Sequence, residues 1–247
     1  MKNTLYLGLF LLLIASSCKK DDTPEATVGS LTLKFQNLWG TDTFHLDSSY
    51  VHPITLDTMK FTTYNYYISN FKLQTTSGNW VSIPNAYMLI KQGTPGSESM
   101  QFANVPAGEY QAISILFGVD SLHNVSGAQS GVLAPSEGMF WSWNTGYIMA
   151  KSEGLSPQSS SGEFAFHLGG FSGTYSVIHE RIFSFNGNTL KITSSSAPKI
   201  QMNANVAAMF DQTPGLATSF NVQSVGTKSK SMAESFTLGW AFSSLQN

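Results

Sequence analysis

The side chains best suited to metal or proton chemistry are five histidines: His45, His52, His123, His167 and His179. Imidazole nitrogen suits copper, and methionine sulfur suits the cuprous ion. Cuprous copper tolerates few donors, so two converging imidazoles and one further ligand would suffice. Two stretches concentrate the reactive residues. Gly118-Val119-Asp120-Ser121-Leu122-His123-Asn124 runs on through Gly127-Ala128-Gln129 to Pro135, and Gly138 to Met149 carries Trp141, Trp143 and Asn144. The side chains of Asp120, Asn124 and Asn144 can bind neighbouring backbone N–H groups and stabilise turns. They can also orient a ligating histidine from behind. No Gly-x-Ser-x-Gly, phosphate-binding loop, His-Glu-x-x-His or dinucleotide fingerprint occurs, so the expectation is a protein that is not an enzyme.

The only cysteine, Cys18, lies elsewhere. Lys2 gives a basic start, Leu5 to Ala15 is an apolar run, and Ser16 and Ser17 precede Cys18. A short apolar core between a basic start and small residues marks an export segment. The run is too short for a membrane-crossing helix, which wants about 20 residues. Ala15-Ser16-Ser17-Cys18 resembles a lipoprotein processing box, in which the cysteine is acylated and becomes the first residue. Each buried methylene of an acyl chain adds about 0.8 kcal/mol of membrane affinity. Lys19-Lys20-Asp21-Asp22 resembles the surface-export signal of Bacteroidota lipoproteins. The expected organisation is a signal peptide over 1–17, a lipidated cysteine and flexible tether over 18–30, and a β domain over 31–247. The expected location is the outer membrane, on its periplasmic or surface face, with lipid held through Cys18.

Removal of residues 1–17 leaves 12 basic and 15 acidic side chains. Nothing in that balance draws a polyanion, and no basic patch points to nucleic acid. With Cys18 acylated, no thiolate remains for a metal site or nucleophile. Charged residues make up only 11% of the chain and aromatics 13%, with abundant Gly, Ser, Thr and Asn. That balance fits strands and tight turns, so the fold class is all-β: a single β-sandwich-like domain with long loops.

Leu31, Leu33 and Phe35 alternate with polar residues and predict a strand. Residues 42–60 read as a long loop with short extended pieces. Phe61 to Leu73 reads as a strand, with a short helix over 60–67 as the alternative. Trp80 to Ile83, Tyr87 to Ile90, Gln111 to Phe117, Ile178 to Phe185, Thr189 to Thr193 and Ile200 to Val206 supply further strands. Residues 118–138 form a long connection rich in turn formers, a length that is often functional. Phe164, Phe166 and Leu168 share one face, with His167 opposite. Near the end, Phe236, Leu238 and Trp240 alternate as in a strand, while Met232 to Phe236 reads equally well as helix.

Gly118 to Ser121, Gly127 to Gln129, Gly138 to Gly154 and Phe166 to Gly170 occur in the order seen in the MbnP-like family, which this chain resembles over most of its exported part. The turn Val105-Pro106-Ala107-Gly108-Glu109-Tyr110 fits as well. The resemblance implies copper binding outside the cytosol, for acquisition, storage or delivery. It also implies a di-haem peroxidase-like partner that converts a tryptophan to kynurenine, and an outer-membrane transporter. The modified residue and histidines would then hold copper. Trp141 and Trp143 are the first candidates for oxidation, with Trp39 third. The implied metal ligands are His167, His45, His52 and His123. Each has a plainer reading: His167 as a hydrogen-bonded structural residue, His45 and His52 as loop histidines, His123 as a turn cap, and the tryptophans as core. No histidine follows His179, and Met232 to Trp240 matches the family's ending only loosely. The competing function is a surface module that binds a non-metal ligand or assembles with other envelope components.

Overall fold

The computed structural model describes residues 27–141 and 146–247. Cys18, Trp143 and Asn144 lie outside the described residues. The strands in chain order are β1 (Val28–Trp39), β2 (Asp42–Thr43), β3 (Ser49–Val51), β4 (Thr58–Thr75), β5 (Trp80–Ser82), β6 (Tyr87–Lys91), β7 (Ser99–Pro106) and β8 (Gly108–Phe117). They continue with β9 (Ile148–Leu155), β10 (Glu163–Gly169), β11 (His179–Ser184), β12 (Leu190–Ile192), β13 (Lys199–Asn205), β14 (Asn221–Val222) and β15 (Trp240–Gln246). Two α-helices are present among the described residues: α1 (Ser121–Val125) and α2 (Thr227–Leu238).

The strands form two sheets, as the alternating pattern predicts. The smaller has the order β15-β13-β1-β2, with β7 also against β1, and β1 and β13 run parallel. The larger has the order β11-β8-β4-β9-β10-β14. Its spine is β4, which is strand throughout; the helical alternative over 60–67 does not form. Tyr66 pairs with both β6 and β9, and Ile68 pairs with both β6 and β8. So β9 and then β8 follow one edge of β4, while β3, β6 and β5 follow the other. The register against β8 shifts between Ser69 and Lys72, around Asn70 at φ 51°. Asn tolerates the left-handed region that such a bulge needs.

The first strand begins at Val28, three residues before the expected start at Leu31. The segment 42–60 contains β2 and β3, the short extended pieces expected there. Alternation holds in β10, where Phe164, Phe166 and Leu168 are buried and His167 faces the other way.

The core is aromatic. Phe35 meets Trp240 edge-on at 5.4 Å, Tyr66 meets Phe236 at 5.1 Å, and Phe44 meets Phe61 at 5.0 Å. Such pairs add about 0.5–1.5 kcal/mol beyond area burial. Phe236 arrives on α2, which resolves the open reading near the C-terminus. Ser229, Met232, Ala233 and Phe236 are buried at helical spacing, while Leu238 is 68% exposed. The strand-like alternation ends there, and Trp240 opens a separate strand. Gly239 lets the chain turn between them, since a β-carbon there would lie 2.6 Å from that of Ala208.

Candidate functional site

The connection over 118–138 is ordered by α1 and by two short 3-10 turns, Gly131–Leu133 and Pro135–Glu137. Asn124 on α1 is buried and clamps it. Its Nδ2 donates to the carbonyls of Val119 at 2.7 Å and Asp120 at 3.0 Å, and its Oδ1 accepts from the Tyr147 N–H at 2.9 Å. The Tyr147 hydroxyl donates to the Leu133 carbonyl, and Tyr67 donates to that of Val132. The separate sequence motifs thus meet in one lobe, and Asn124 serves the turn role rather than backing a histidine.

Trp141 is buried against Gly169, in the Phe166 to Gly170 motif. A β-carbon at Gly169 would fall 2.3 Å from Trp141 Cζ3, so the indole rests directly on that backbone. A cavity of about 110 Å³ lies beside it, lined by Trp141, Gly146, Tyr147, Gly170, Phe171, Ser172 and Val225.

His123 lies one residue before the clamp. The Asp120 carboxylate caps α1 by accepting from the His123 N–H at 3.1 Å, and it also meets His123 Nδ1 at 3.1 Å. The Tyr87 hydroxyl donates to Asp120 and lies 2.6 Å from the same Nδ1. This arrangement suits a proton on Nδ1 and leaves Nε2 with a lone pair on a ring that is partly exposed. Burial alone would raise the Asp120 carboxyl. The hydrogen bonds from Tyr87 and His123 outweigh it and hold that carboxyl below its ordinary value. Burial, then Asp120, pushes the Tyr87 phenol well up.

The other histidines are dispersed. His167 Nε2 binds Glu153 Oε1 at 2.7 Å on the outer face of the larger sheet, beside Lys151. Burial holds His167 below the ordinary histidine value, with the Glu153 bond opposing. Burial acts upward on Glu153, but the His167 hydrogen bond and Lys151 together keep it low. His52 is fully buried. Its Nδ1 accepts from the Thr55 N–H at 3.1 Å, and its Nε2 faces the Ala207 carbonyl and Asp211 Oδ1, both at 3.2 Å. Both ring nitrogens are engaged and the ring is buried, so His52 is not the exposed loop histidine of its plainer reading. His45 is exposed, and among the described residues only its backbone is held, by the Tyr50 hydroxyl. His179 Nε2 is buried with no hydrogen-bond partner among the described residues, and burial with the nearby Arg181 lowers its pKa.

Among the described residues no group of three His, Cys, Asp or Glu side chains could hold a metal ion. The sequence reading missed Tyr87, since a lone tyrosine in a β-strand carries no signal of what it will meet.

A family model described as MbnP matches residues 28–229. The chain belongs to the MbnP family. The fold agrees: MbnP from Methylosinus trichosporium is similar at a TM-score of 0.51 and 15% identity, over 81% of this chain and 82% of that one. No curated protein matches. The MbnP match spans every motif of the clamped lobe, and it also covers β1 and β13, the parallel pair that centres the smaller sheet.

Proposed function

We propose that this MbnP-family chain is an outer-membrane lipoprotein that handles copper as cargo, taking or passing a cuprous ion rather than catalysing a reaction. The observation that carries the reading is His123. Asp120 and Tyr87 occupy its Nδ1 side, the arrangement in which a carboxylate orients a metal-binding imidazole, and Nε2 has no hydrogen-bond partner among the described residues. Its neighbour Asn124 pins Tyr147, at the end of the segment that carries Trp141 and Trp143. A cuprous ion bound by few donors exchanges readily, which suits acquisition or delivery better than storage. Oxidation of Trp141 or Trp143 to kynurenine by a di-haem peroxidase-like partner, and hand-over to an outer-membrane transporter, rest on family kinship alone.

The test is cuprous titration of the acylated protein against a competing chelator, with intact mass read alongside. His123→Ala should weaken binding at least tenfold, while His167→Ala should leave it nearly unchanged. Binding that ignores His123, or none at all, sinks this reading. The dispersal of the other histidines favours a second one, a non-metal ligand-binding or assembly module.

A further inference from the structure

The smaller sheet has a gap along one edge of β1. The ladder to β13 uses the even positions of β1: the Thr32 N–H donates to the Pro198 carbonyl, and the Leu38 carbonyl accepts from the Val206 N–H. Leu33, Phe35 and Asn37 therefore face the opposite edge. There β7 pairs only as far as Lys34 with Ser99, and β2 begins at Leu38 with Thr43. The Phe35 N–H reaches the Glu98 carbonyl at 2.8 Å, and the Asn37 carbonyl accepts from the Phe44 N–H at 3.0 Å. Between these two bonds, the Phe35 carbonyl and the Asn37 N–H have no partner among the described residues.

Those two groups open onto a groove of about 440 Å³. That volume falls within the range of about 300–1,000 Å³ common for ligand sites. The groove is supported from below. Tyr66 donates to Asn37 Oδ1 at 2.8 Å, and Asn37 Nδ2 donates to Gln92 Oε1 at 2.9 Å. Gln92 Nε2 then donates to the Phe44 carbonyl at 2.7 Å. That carbonyl would be the natural acceptor for the Asn37 N–H in a continued ladder, so Gln92 helps keep the slot open. Phe44 and Ile90 line the groove on its inner side, while Lys34 and Gln36 line it from the outer face of the sheet. Neither Lys34 nor Glu98 has an ion-pair partner among the described residues.

We propose that this slot binds a short extended polypeptide by strand addition. One residue running parallel to β1 donates its N–H to the Phe35 carbonyl and accepts from the Asn37 N–H, the two bonds of a parallel ladder. That residue sets its own polar side chain beside Gln36 on the outer face, and its two neighbours turn apolar side chains inward toward Phe44 and Ile90. A carbohydrate has no matched amide donor and acceptor at this spacing. The proposal does not depend on copper.

The test is hydrogen exchange at single-residue resolution on the acylated protein in detergent. The probe is a blocked Thr-Val-Thr-Val-Thr peptide. In the free protein the Asn37 amide should exchange on the order of 100-fold faster than the bonded Phe35 amide. The peptide should slow Asn37 at least tenfold, and a backbone N-methylated peptide should bind about tenfold more weakly, the scale of one hydrogen bond. Gln92→Leu, which frees the Phe44 carbonyl for Asn37, should protect Asn37 without peptide. Asn37 already protected in the free protein would overturn the proposal. So would equal binding of the N-methylated peptide, protection by maltohexaose instead, or protection that appears with protein concentration alone.

Discussion

The indole of Trp141 lies across the backbone of Gly169, so close that a β-carbon there would meet Cζ3 at 2.3 Å and Cη2 at 2.4 Å. Gly169 ends β10, and the neighbouring Gly170, at φ 119°, turns the chain past Val225. Gly169 is the seat of the aromatic ring, while the bare backbone at Gly170 clears the Tyr175 carbonyl and Val225.

Gly169→Ala should therefore displace Trp141. Overpacking of this kind costs about 1–3 kcal/mol. Chemical denaturation should show the loss, and tryptophan fluorescence should report a more solvated indole. Unchanged stability and emission would mean that the ring moves aside freely.

Asn124→Ala should destabilise the lobe. It strips the Val119 carbonyl and the Tyr147 N–H of their buried partner, at about 1–3 kcal/mol for each group left unsatisfied, while the Asp120 carbonyl keeps the Asn124 backbone N–H. Hydrogen exchange should show the damage as fast opening at Tyr147 and α1 before the sheets are affected. Uniform loosening of the whole molecule would contradict the clamp.

Acid should destabilise the fold in two stages. Burial holds His167 and His179 below the ordinary value of 6.5. As pH falls below 6.5 the unfolded chain takes up protons that the folded one resists, so stability drops until the lowered folded values are passed. Glu153, held below 4.5, adds a second loss as pH falls below that value and through its own folded pKa. His167→Gln should flatten the first stage in denaturation curves taken between pH 7 and 5. An unchanged slope there would leave His167 with no part in it.

Cys18→Ala should abolish acyl labelling and release the protein from membranes. The β domain should still fold, because the aromatic core is built from residues far along the chain. Retained labelling would place the anchor elsewhere.

Most strands follow from local pattern, because period-two alternation and turn residues are short-range signals. Phe164 to Leu168 and Ile200 to Val206 show this directly. Alternation at Phe236, Leu238 and Trp240 misleads for the same local reason: α2 is set by Met232, Ala233 and Phe236 packing into the core. The chemistry was least legible. His52 gains its partners from Ala207 and Asp211, over 150 positions away, and His123 gains Tyr87 from another strand. Residue types alone determined which donors the chain possesses. Only the tertiary structure decided that the imidazoles stay apart, because convergence depends on strand order and register, which no spacing within one strand encodes.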